Sequence, residues 1–432
     1  MVEKALFLFF LLLPFQFALN PVEGVDLAIA RVVAIGIAGL FLLERLHAGS
    51  WKIPRSGALF AMMGFFLLAA LSFSWSIEPA WSVRKFFFLL SFLPLWFVIV
   101  DTLYRGGERS AIFLSQGFFF GAVSMAIIAL LQFFSQFIFS FARVVSFFMT
   151  EIYPIFLGGT FSQSVAIYPS LLVNIGGETI LRATGAFPDP HVAAFYFGMA
   201  VPFGLWLGLL VRKEKRVLFL SGTAILLLAD LCTFSRGGYM GLLALAGFFT
   251  AFMLYHYRKE VNIAWKKNIF FGIIVVFVFG IIVPPARERL IDTFSLTEGS
   301  NRARIILWQE AGEHIANRPW LGYGLGNYPL AVKPSADYRE PIYIHNTYLD
   351  IWAELGIVGF VFFLLVFFLP VGIFFFRGSF SSIAFPAFLA MTLFLGHSIF
   401  ENVIFSVHII PILLFLITIL SWHNERVWKQ NI

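Results

Sequence analysis

Long, uninterrupted apolar runs recur along the whole chain and constrain its fold more than any other feature. A run of about twenty apolar residues is long enough to cross the hydrocarbon core of a bilayer. The runs are continuously apolar and do not alternate with polar residues, so they predict helices, which satisfy their backbone hydrogen bonds internally. Only 12% of the 432 residues are charged, whereas soluble domains carry roughly a quarter. The sequence therefore predicts an all-α polytopic membrane protein, with residues 1–432 forming one transmembrane domain.

The apolar runs predict about twelve transmembrane helices. A cleaved signal peptide is the alternative interpretation of the first run, but no clear cleavage site of small residues follows it and the next run begins soon afterwards. The spans are expected at Ala5–Leu19, Asp26–Leu46, Gly57–Trp75, Ser82–Val100, Ala111–Phe139, Val192–Val211, Val217–Cys232, Gly238–Tyr257, Asn268–Pro284, Ile351–Phe376, Ile383–Phe400 and Ile404–Trp422.

Lysine and arginine residues set the expected orientation, because cytoplasmic turns are enriched in them. With the N-terminus inside, every short basic turn falls on the same side. Two long loops, Ser140–His191 and Pro285–Asn346, then face outward, together with the short turn Thr233–Gly237. The net charge of +6 comes from these membrane-edge residues and does not indicate nucleic-acid binding. The single cysteine, Cys232, excludes an intramolecular disulfide and argues against a cysteine-based metal site.

Two of the outward segments place an arginine in a tight turn. Arg182 lies in a turn-rich segment with two prolines and a glycine, where the simpler interpretation is an arginine at headgroup level beside a helix that Pro190 begins. Arg236 is followed by Gly237 and Gly238, which allow another group to approach closely. The planar guanidinium suits phosphate oxygens. An interfacial anchor is the alternative role for Arg236.

The long outward loop contains a predicted surface helix that begins near Asn301 and stops before Pro319. Arg302 and Arg304 lie in its first turn, where nonspecific contact with lipid phosphates is the expected role of at least one of them. The loop ends at His345 and Asn346, which is a good N-cap for the following helix.

The predicted cap places His345 at the positive end of a helix dipole, which favours nearby anions and disfavours the protonated imidazole. A neutral imidazole in that position is suited to general-base catalysis. A histidine that is merely hydrogen-bonded at a helix entrance is the commoner case. The arginine clusters on the same side of the membrane favour the catalytic interpretation of His345.

Other motifs are incomplete or missing. Gly322-Tyr323-Gly324-Leu325-Gly326 lacks the full spacing of a dinucleotide-binding loop and does not follow a strand. The sequence has no Walker loop, no Asp-x-Asp and no paired histidines with zinc-ligand spacing. We therefore expect no metal and no cofactor.

Taken together, the motifs of the outward segments resemble those of the O-antigen ligase and polymerase superfamily of bacterial membrane glycan transferases. One departure is His191, where many relatives carry asparagine. The resemblance covers about residues 180 to 360. It rests on Arg182-x-x-Gly185 with Asp189-Pro190, Ser235-Arg236-Gly237-Gly238, Arg304-x-x-x-Trp308, Pro319-x-x-Gly322-x-Gly324, and His345-Asn346 followed by Gly356-x-x-Gly359.

The resemblance implies a GT-C-like fold with two long periplasmic loops, residues 140–191 and 285–346, in the bacterial inner membrane. It implies metal-independent, inverting transfer of a glycan from undecaprenyl pyrophosphate to an acceptor hydroxyl, which is lipid A-core for the ligases. By family likeness, Arg182 and Arg236 would bind the pyrophosphate, with Arg304 as a weaker third ligand. His345 would take the proton from the acceptor, and Asn346 would shape that corner of the site. The expected partners are the donor, the acceptor and membrane lipids, without nucleic acid.

Two alternatives to a ligase remain open at this point. A polymerase of the same superfamily would join repeat units on a growing glycan with the same donor and a similar site. A small-solute transporter is less favoured, because the chain shows no internal repeat and its polar residues concentrate outside the spans. Arg31 and Asp230 are the main charges within the predicted spans and are functional candidates for that reason.

Overall fold

The computed structural model describes residues 1–22, 25–49, 57–167, 170–175, 177–257, 299–338, 340 and 342–430. The chain is mostly helical. The helices are α1 Val2–Leu12, α2 Ile29–Ala48, α3 Gly57–Leu71, α4 Pro79–Leu90, α5 Leu93–Phe139, α6 Phe141–Phe147, α7 Tyr153–Leu157, α8 Gly159–Ile167, α9 Pro190–Leu210, α10 Lys213–Cys232, α11 Arg236–Tyr257, α12 Gly299–Asn317, α13 Tyr328–Val332, α14 Thr347–Arg377, α15 Ala384–His397 and α16 Ile410–Gln430.

Two short antiparallel hairpins accompany the helices and were not predicted. Strands β1 Ala18–Val22 and β2 Val25–Ala28 pair with each other, as do β3 Leu172–Ile175 and β4 Glu178–Leu181. The second hairpin lies in the first long loop and leads directly to Arg182. The segment of β3 and β4 was expected to be a loop, whereas β1 and β2 overlap the ends of the spans predicted at Ala5–Leu19 and Asp26–Leu46. Hairpins this short show little periodicity in the sequence.

Within the described residues, five helical segments are long and apolar enough to cross a membrane: Gly57–Ser74, Pro79–Phe139, Pro190–Leu210, Arg236–His256 and Thr347–Arg377. A shorter apolar helix covers Ala384–His397. These segments coincide with predicted spans, and they confirm an all-α membrane protein. The span count of about twelve stays a prediction, and the span expected at Asn268–Pro284 lies outside the described residues.

Helices α4 and α5 do not match the two spans predicted in this region, Ser82–Val100 and Ala111–Phe139. The run Ser82–Val100 was expected to form one helix, but the chain breaks near Ser91, between α4 and α5. The next interruption comes at Gly107, whose φ of 63° and ψ of −144° lie outside the helical region. Gly107 falls within the basic turn that the sequence predicts between two spans.

The two charges expected within spans do not form a pair. Arg31 donates from Nε to Ser91 Oγ at 3.0 Å, and its guanidinium lies over the Phe88 ring. The Asp230 carboxylate is fully buried and has no hydrogen-bond partner among the residues that the structure describes.

Helix α14 is broken at Gly356, and the break positions the long outward loop. Gly356 has a φ of 64°, and a β-carbon there would lie 2.1 Å from the carbonyl oxygen of Trp320, so no larger side chain fits. The break exposes backbone carbonyls that a continuous helix would use itself. The Tyr323 amide donates to one of them, Ala353 O, at 3.0 Å. The glycine-rich segment is therefore a docking loop for this helix.

The same glycine-rich segment also rests on the turn between α3 and α4. The Trp75 indole donates to Leu321 O at 3.0 Å, and the Glu78 amide donates to Asn327 Oδ1 at 2.6 Å. Ser82 Oγ donates to Leu325 O at 2.8 Å. The N-terminal part of α14, which follows His345, is thus connected to α3 and α4 through the glycine-rich segment.

Candidate active site

His345 lies at the entrance of α14 in a strained conformation. Its φ of 54° is in the left-handed region, which costs a residue other than glycine of order 1 kcal/mol or more. Asn346 Oδ1 accepts hydrogen bonds from the amides of Tyr348 at 3.0 Å and Leu349 at 3.1 Å. The predicted N-cap is therefore confirmed, and the cap fixes the direction in which the backbone carries His345.

Glu401 is the partner of His345 and was missed from the sequence. The carboxylate is almost fully buried, and its Oε2 lies 2.8 Å from His345 Nδ1. The backbone holds the two segments together as well, because Thr347 Oγ1 donates to Glu401 O at 2.8 Å and the Thr347 amide donates to Ser398 O at 2.9 Å. The available signal was a lone acidic residue between two predicted spans, on the side that the charge pattern assigns to the outside.

Arg304 reaches the same carboxylate from the surface helix. Its Nη2 forms an ion pair with Glu401 Oε1, and the side chain is 12% exposed. The inner face of helix α12 also carries Trp308, whose indole donates to Ile344 O at 3.1 Å, and the buried Ala311 and Ile315. The predicted helix is confirmed, and one of its faces packs against the protein.

His191 contacts Glu401 from a third direction. Its Nε2 lies 3.4 Å from Glu401 Oε1, and its Nδ1 lies 2.9 Å from Ser235 Oγ. The preceding Asp189 caps α9, since its Oδ1 accepts from the His191 and Val192 amides at 2.7 Å and 2.8 Å. Burial raises the pKa of Asp189 to about 6, although these backbone hydrogen bonds oppose the shift. The Asp-Pro motif thus begins a helix, as the simpler sequence interpretation expected, and it delivers His191 to the site.

Arg182 and Arg236 are both buried beside the turn between α10 and α11. Arg182 donates from Nε to Thr233 O at 2.6 Å and from Nη1 to Ser170 O at 3.0 Å. Arg236 donates from Nη1 to Asn301 Oδ1 at 3.1 Å. These contacts connect the turn to the segment after β4 and to the helix that carries Arg304. The structure therefore joins the predicted site residues through one set of contacts.

Gly237 allows the close approach that the sequence suggested, and the approaching group is a histidine. A β-carbon at Gly237 would lie 2.4 Å from His397 Cδ2. The His397 ring is fully buried, stacks on Phe195 with ring centroids 3.5 Å apart, and places Nε2 3.4 Å from Ser235 Oγ.

The charges around His345 shift its pKa in the direction opposite to the one that the helix dipole predicts. A helix dipole alone disfavours the imidazolium. Burial also lowers the pKa of His345, but the hydrogen bond and negative charge of Glu401 outweigh it, so the pKa is raised overall. Burial would raise the pKa of Glu401, but His191, His345 and Arg304 together lower it well below its ordinary value. The expectation from the dipole was wrong because it took no account of a carboxylate distant in sequence.

Among the described residues no cluster of three or more histidine, cysteine, aspartate or glutamate side chains has the arrangement of a metal site. The chemical capacity of the site lies in His345 and the surrounding arginines. The His345 side chain is 38% exposed while Glu401 occupies its Nδ1, so Nε2 is the ring nitrogen left for a substrate. A histidine held by a carboxylate in this way is an arrangement suited to proton abstraction.

Comparison with known proteins agrees with the motif-based resemblance. The sequence model of the O-antigen ligase family matches residues 221–364, which include Arg236, Arg304, His345 and Asn346. An uncharacterised protein of Haemophilus influenzae is 26% identical over 184 residues, which cover 37% of this chain and 44% of that protein. The long apolar helices, together with this match, indicate a multi-pass membrane protein whose central part is similar to the O-antigen ligase family.

Proposed function

We propose that this chain, which the match over residues 221–364 assigns to the O-antigen ligase superfamily, is an O-antigen ligase-like glycosyltransferase. It moves a glycan from undecaprenyl pyrophosphate to an acceptor hydroxyl, that of lipid A-core. The reaction takes place on the periplasmic face of the bacterial inner membrane, is inverting, and uses neither a metal ion nor a cofactor.

The single observation that carries the proposal is the contact between His345 and Glu401. With Nδ1 held by Glu401 Oε2 at 2.8 Å, the Nε2 of the neutral ring is an acceptor of protons. The half-exposed side chain lies where an acceptor hydroxyl can reach it. A base positioned in this way is what glycosyl transfer to a hydroxyl requires.

The arginines supply the other requirement, which is stabilisation of the departing pyrophosphate. Guanidinium groups form paired, charge-assisted hydrogen bonds with phosphate oxygens. These hydrogen bonds are stronger where water is excluded. Arg182 and Arg236 are both at least nine-tenths buried, so their charges act through a medium of low dielectric constant. Arg304 is shared with Glu401, which is consistent with a weaker role on the substrate.

In the proposed step the acceptor oxygen attacks the anomeric carbon from the side opposite the pyrophosphate. A carbon–oxygen bond to the acceptor forms as the bond to the pyrophosphate oxygen breaks, which inverts the configuration. The hydroxyl proton passes to His345 Nε2, and the electron pair leaves with undecaprenyl pyrophosphate, whose charge Arg182 and Arg236 balance. Asn346 keeps His345 in place through its cap of α14.

The deciding experiment compares cells with and without this gene. Surface glycans are separated on a gel, and carrier-linked glycans are extracted in parallel. Long chains that remain on the carrier and disappear from lipid A-core support the ligase. Arrest at a single repeat unit would identify the polymerase instead. An unchanged profile of both pools would contradict both forms of the proposal and favour transport.

A further inference from the structure

Side chains from three separate elements lie around the Glu401 carboxylate. Arg304 from α12 contacts Oε1, His345 from the long loop contacts Oε2, and His191 from α9 lies 3.4 Å from Oε1. The proposed reaction gives His191 no task. Its contact with Glu401, the partner of the proposed base, therefore requires a separate explanation.

The hydrogen-bonding capacity of each group sets the direction of the contacts. A carboxylate can only accept, so a hydrogen bond across the 3.4 Å between His191 Nε2 and Glu401 Oε1 requires His191 to present Nε2–H. The Nδ1 of the neutral ring then accepts, and Ser235 Oγ, 2.9 Å away, donates to it. Ser235 Oγ in turn accepts from the Gly238 amide at 3.2 Å and from His397 Nε2 at 3.4 Å. Every donor in this series therefore points towards Glu401.

The far end of the series supports the same direction. His397 is fully buried against Phe195, and its Nδ1 has no hydrogen-bond partner among the residues that the structure describes. A lone pair without a partner is less costly to bury than an N–H group or a charge. His397 is thus expected to be neutral with its proton on Nε2, facing Ser235.

We propose that His191 is a positioning residue that donates to Glu401, in a tautomer set by Ser235, and thereby adjusts the strength of His345 as a base. The inference rests on the proposed function for its role in catalysis. Its structural part, the dependence of His345 on His191 through Glu401, can be tested without any glycan.

The mechanism is competition for one negative charge. Each donor to Glu401 withdraws charge from the contact with His345, so removal of the His191 donor strengthens that contact and favours the imidazolium. The other charged groups that act on His345 are Arg304, which favours the neutral ring, and Asp350, which favours the imidazolium. Arg182 and Arg304 favour the neutral form of His191, and the negative charge of Asp189 repels that of Glu401. None of these groups is altered by a substitution at residue 191, so the expected change belongs to the His191 contact.

Two substitutions separate the donor from the ring. His191→Gln places an amide N–H at about the reach of Nε2 and retains a donor to Glu401. His191→Asn is shorter, reproduces only the Nδ1 position and leaves Glu401 without this donor. Neither variant titrates at residue 191, so any difference between them reports the contact with Glu401.

The readout is the reaction of His345 with diethyl pyrocarbonate, which acylates the neutral imidazole. Purified full-length protein in lipid nanodiscs is treated over a pH series, and mass spectrometry follows the peptide that contains His345. We expect the midpoint of the His191→Asn variant to move up by about 0.5 to 1 pH unit, the equivalent of one hydrogen bond. The His191→Gln midpoint should stay at the wild-type value.

Two results would overturn the inference: midpoints that are equal in wild type and His191→Asn, or equal shifts in both variants. If His191→Asn does not fold, Ser235→Ala provides the second variant, because it removes the group that sets the tautomer and should move the midpoint in the same direction by less. Because the titration requires no substrate, a wild-type protein that fails to transfer glycan would contradict the proposed function and leave this test intact.

Discussion

His345 Nδ1 and Glu401 Oε2 lie 2.8 Å apart, although 56 positions separate the two residues in the chain. The pair joins the end of the long outward loop to the short connection between α15 and α16. Glu401 also pairs with Arg304, so one buried carboxylate connects the proposed base with a proposed substrate ligand.

Replacement of His345 by alanine should remove the proposed base. We expect transfer to fall by about 10²- to 10⁴-fold, the range attributed to general-base catalysis, while the amount of protein in the membrane stays normal. His345→Gln is the matched control for volume and should be equally inactive. Full transfer activity in His345→Ala would show that the base lies elsewhere.

Glu401→Gln should shift the pH dependence of transfer to lower pH. The carboxylate raises the pKa of His345, so its loss lowers that pKa and the ring stays neutral in more acidic solution. The maximal rate should fall by about tenfold or more, because a less basic imidazole is a weaker acceptor of the proton. A pH–rate profile checks both effects. If the acid limb of the variant stays at the wild-type pH, Glu401 does not control the pKa of His345.

Arg236→Lys should weaken donor binding, because an ammonium group cannot present the planar pair of donors of a guanidinium. We expect KM for the lipid-linked donor to rise by about tenfold, one charge-assisted hydrogen bond. Arg302→Lys is the matched control, since Arg302 is exposed on the neighbouring helix α12. Equal kinetics in the two variants would remove the support for phosphate binding at Arg236.

Gly356→Ala should destabilise the protein, because the new methyl group would meet Trp320 O at 2.1 Å and the backbone is left-handed there. A loss of about 1–3 kcal/mol is expected. Gly372→Ala is the control on the same helix, where a β-carbon meets nothing within 4 Å. Thermal unfolding in detergent compares them, and similar melting temperatures would contradict the docking role assigned to Gly356.

The ion pair of His345 and Glu401 should contribute most to stability in mildly acidic solution. The raised pKa of His345 means that its contribution is complete below its ordinary value of 6.5 and is lost as pH rises through the folded-state value. The lowered pKa of Glu401 means that its contribution is complete above its ordinary value of 4.5 and is lost as pH falls through the folded-state value. Melting temperatures of wild type and His345→Gln should therefore differ most between these two values, and a difference independent of pH would argue against the pair.

Much of the helical framework could be predicted from the sequence, because apolar runs and caps are local features. The helix that begins after Asn346 and the close approach at Gly237 were both deduced from neighbouring residues and are present. The break near Ser91 was missed, although Pro94 lies in the first turn of α5, a position that favours proline and marks the start of a new helix.

The candidate site was predicted only in part, for a related reason. Arginine and histidine residues in polar loops are conspicuous against an apolar background, so His345 and Arg304 could be singled out. Their shared partner, Glu401, lies in a short connection with no motif of its own, and its proximity to them arises only when α12 packs against the entrance of α14. The direction of the His345 pKa shift was mistaken because it depends on that long-range contact.

The break in α14 at Gly356 has a consequence for how variation can be distributed along the chain. The contact that satisfies the broken helix uses the backbone amide of Tyr323, and the glycines on either side of Tyr323 have positive φ values and no room for a β-carbon. A β-carbon at Gly322 would lie 2.5 Å from Ala353 O, and one at Gly324 would lie 2.3 Å from Ser76 Cβ. Substitution should therefore be restricted at the glycines that shape this contact, whereas a position such as Gly372, where a β-carbon meets nothing within 4 Å, is free to vary.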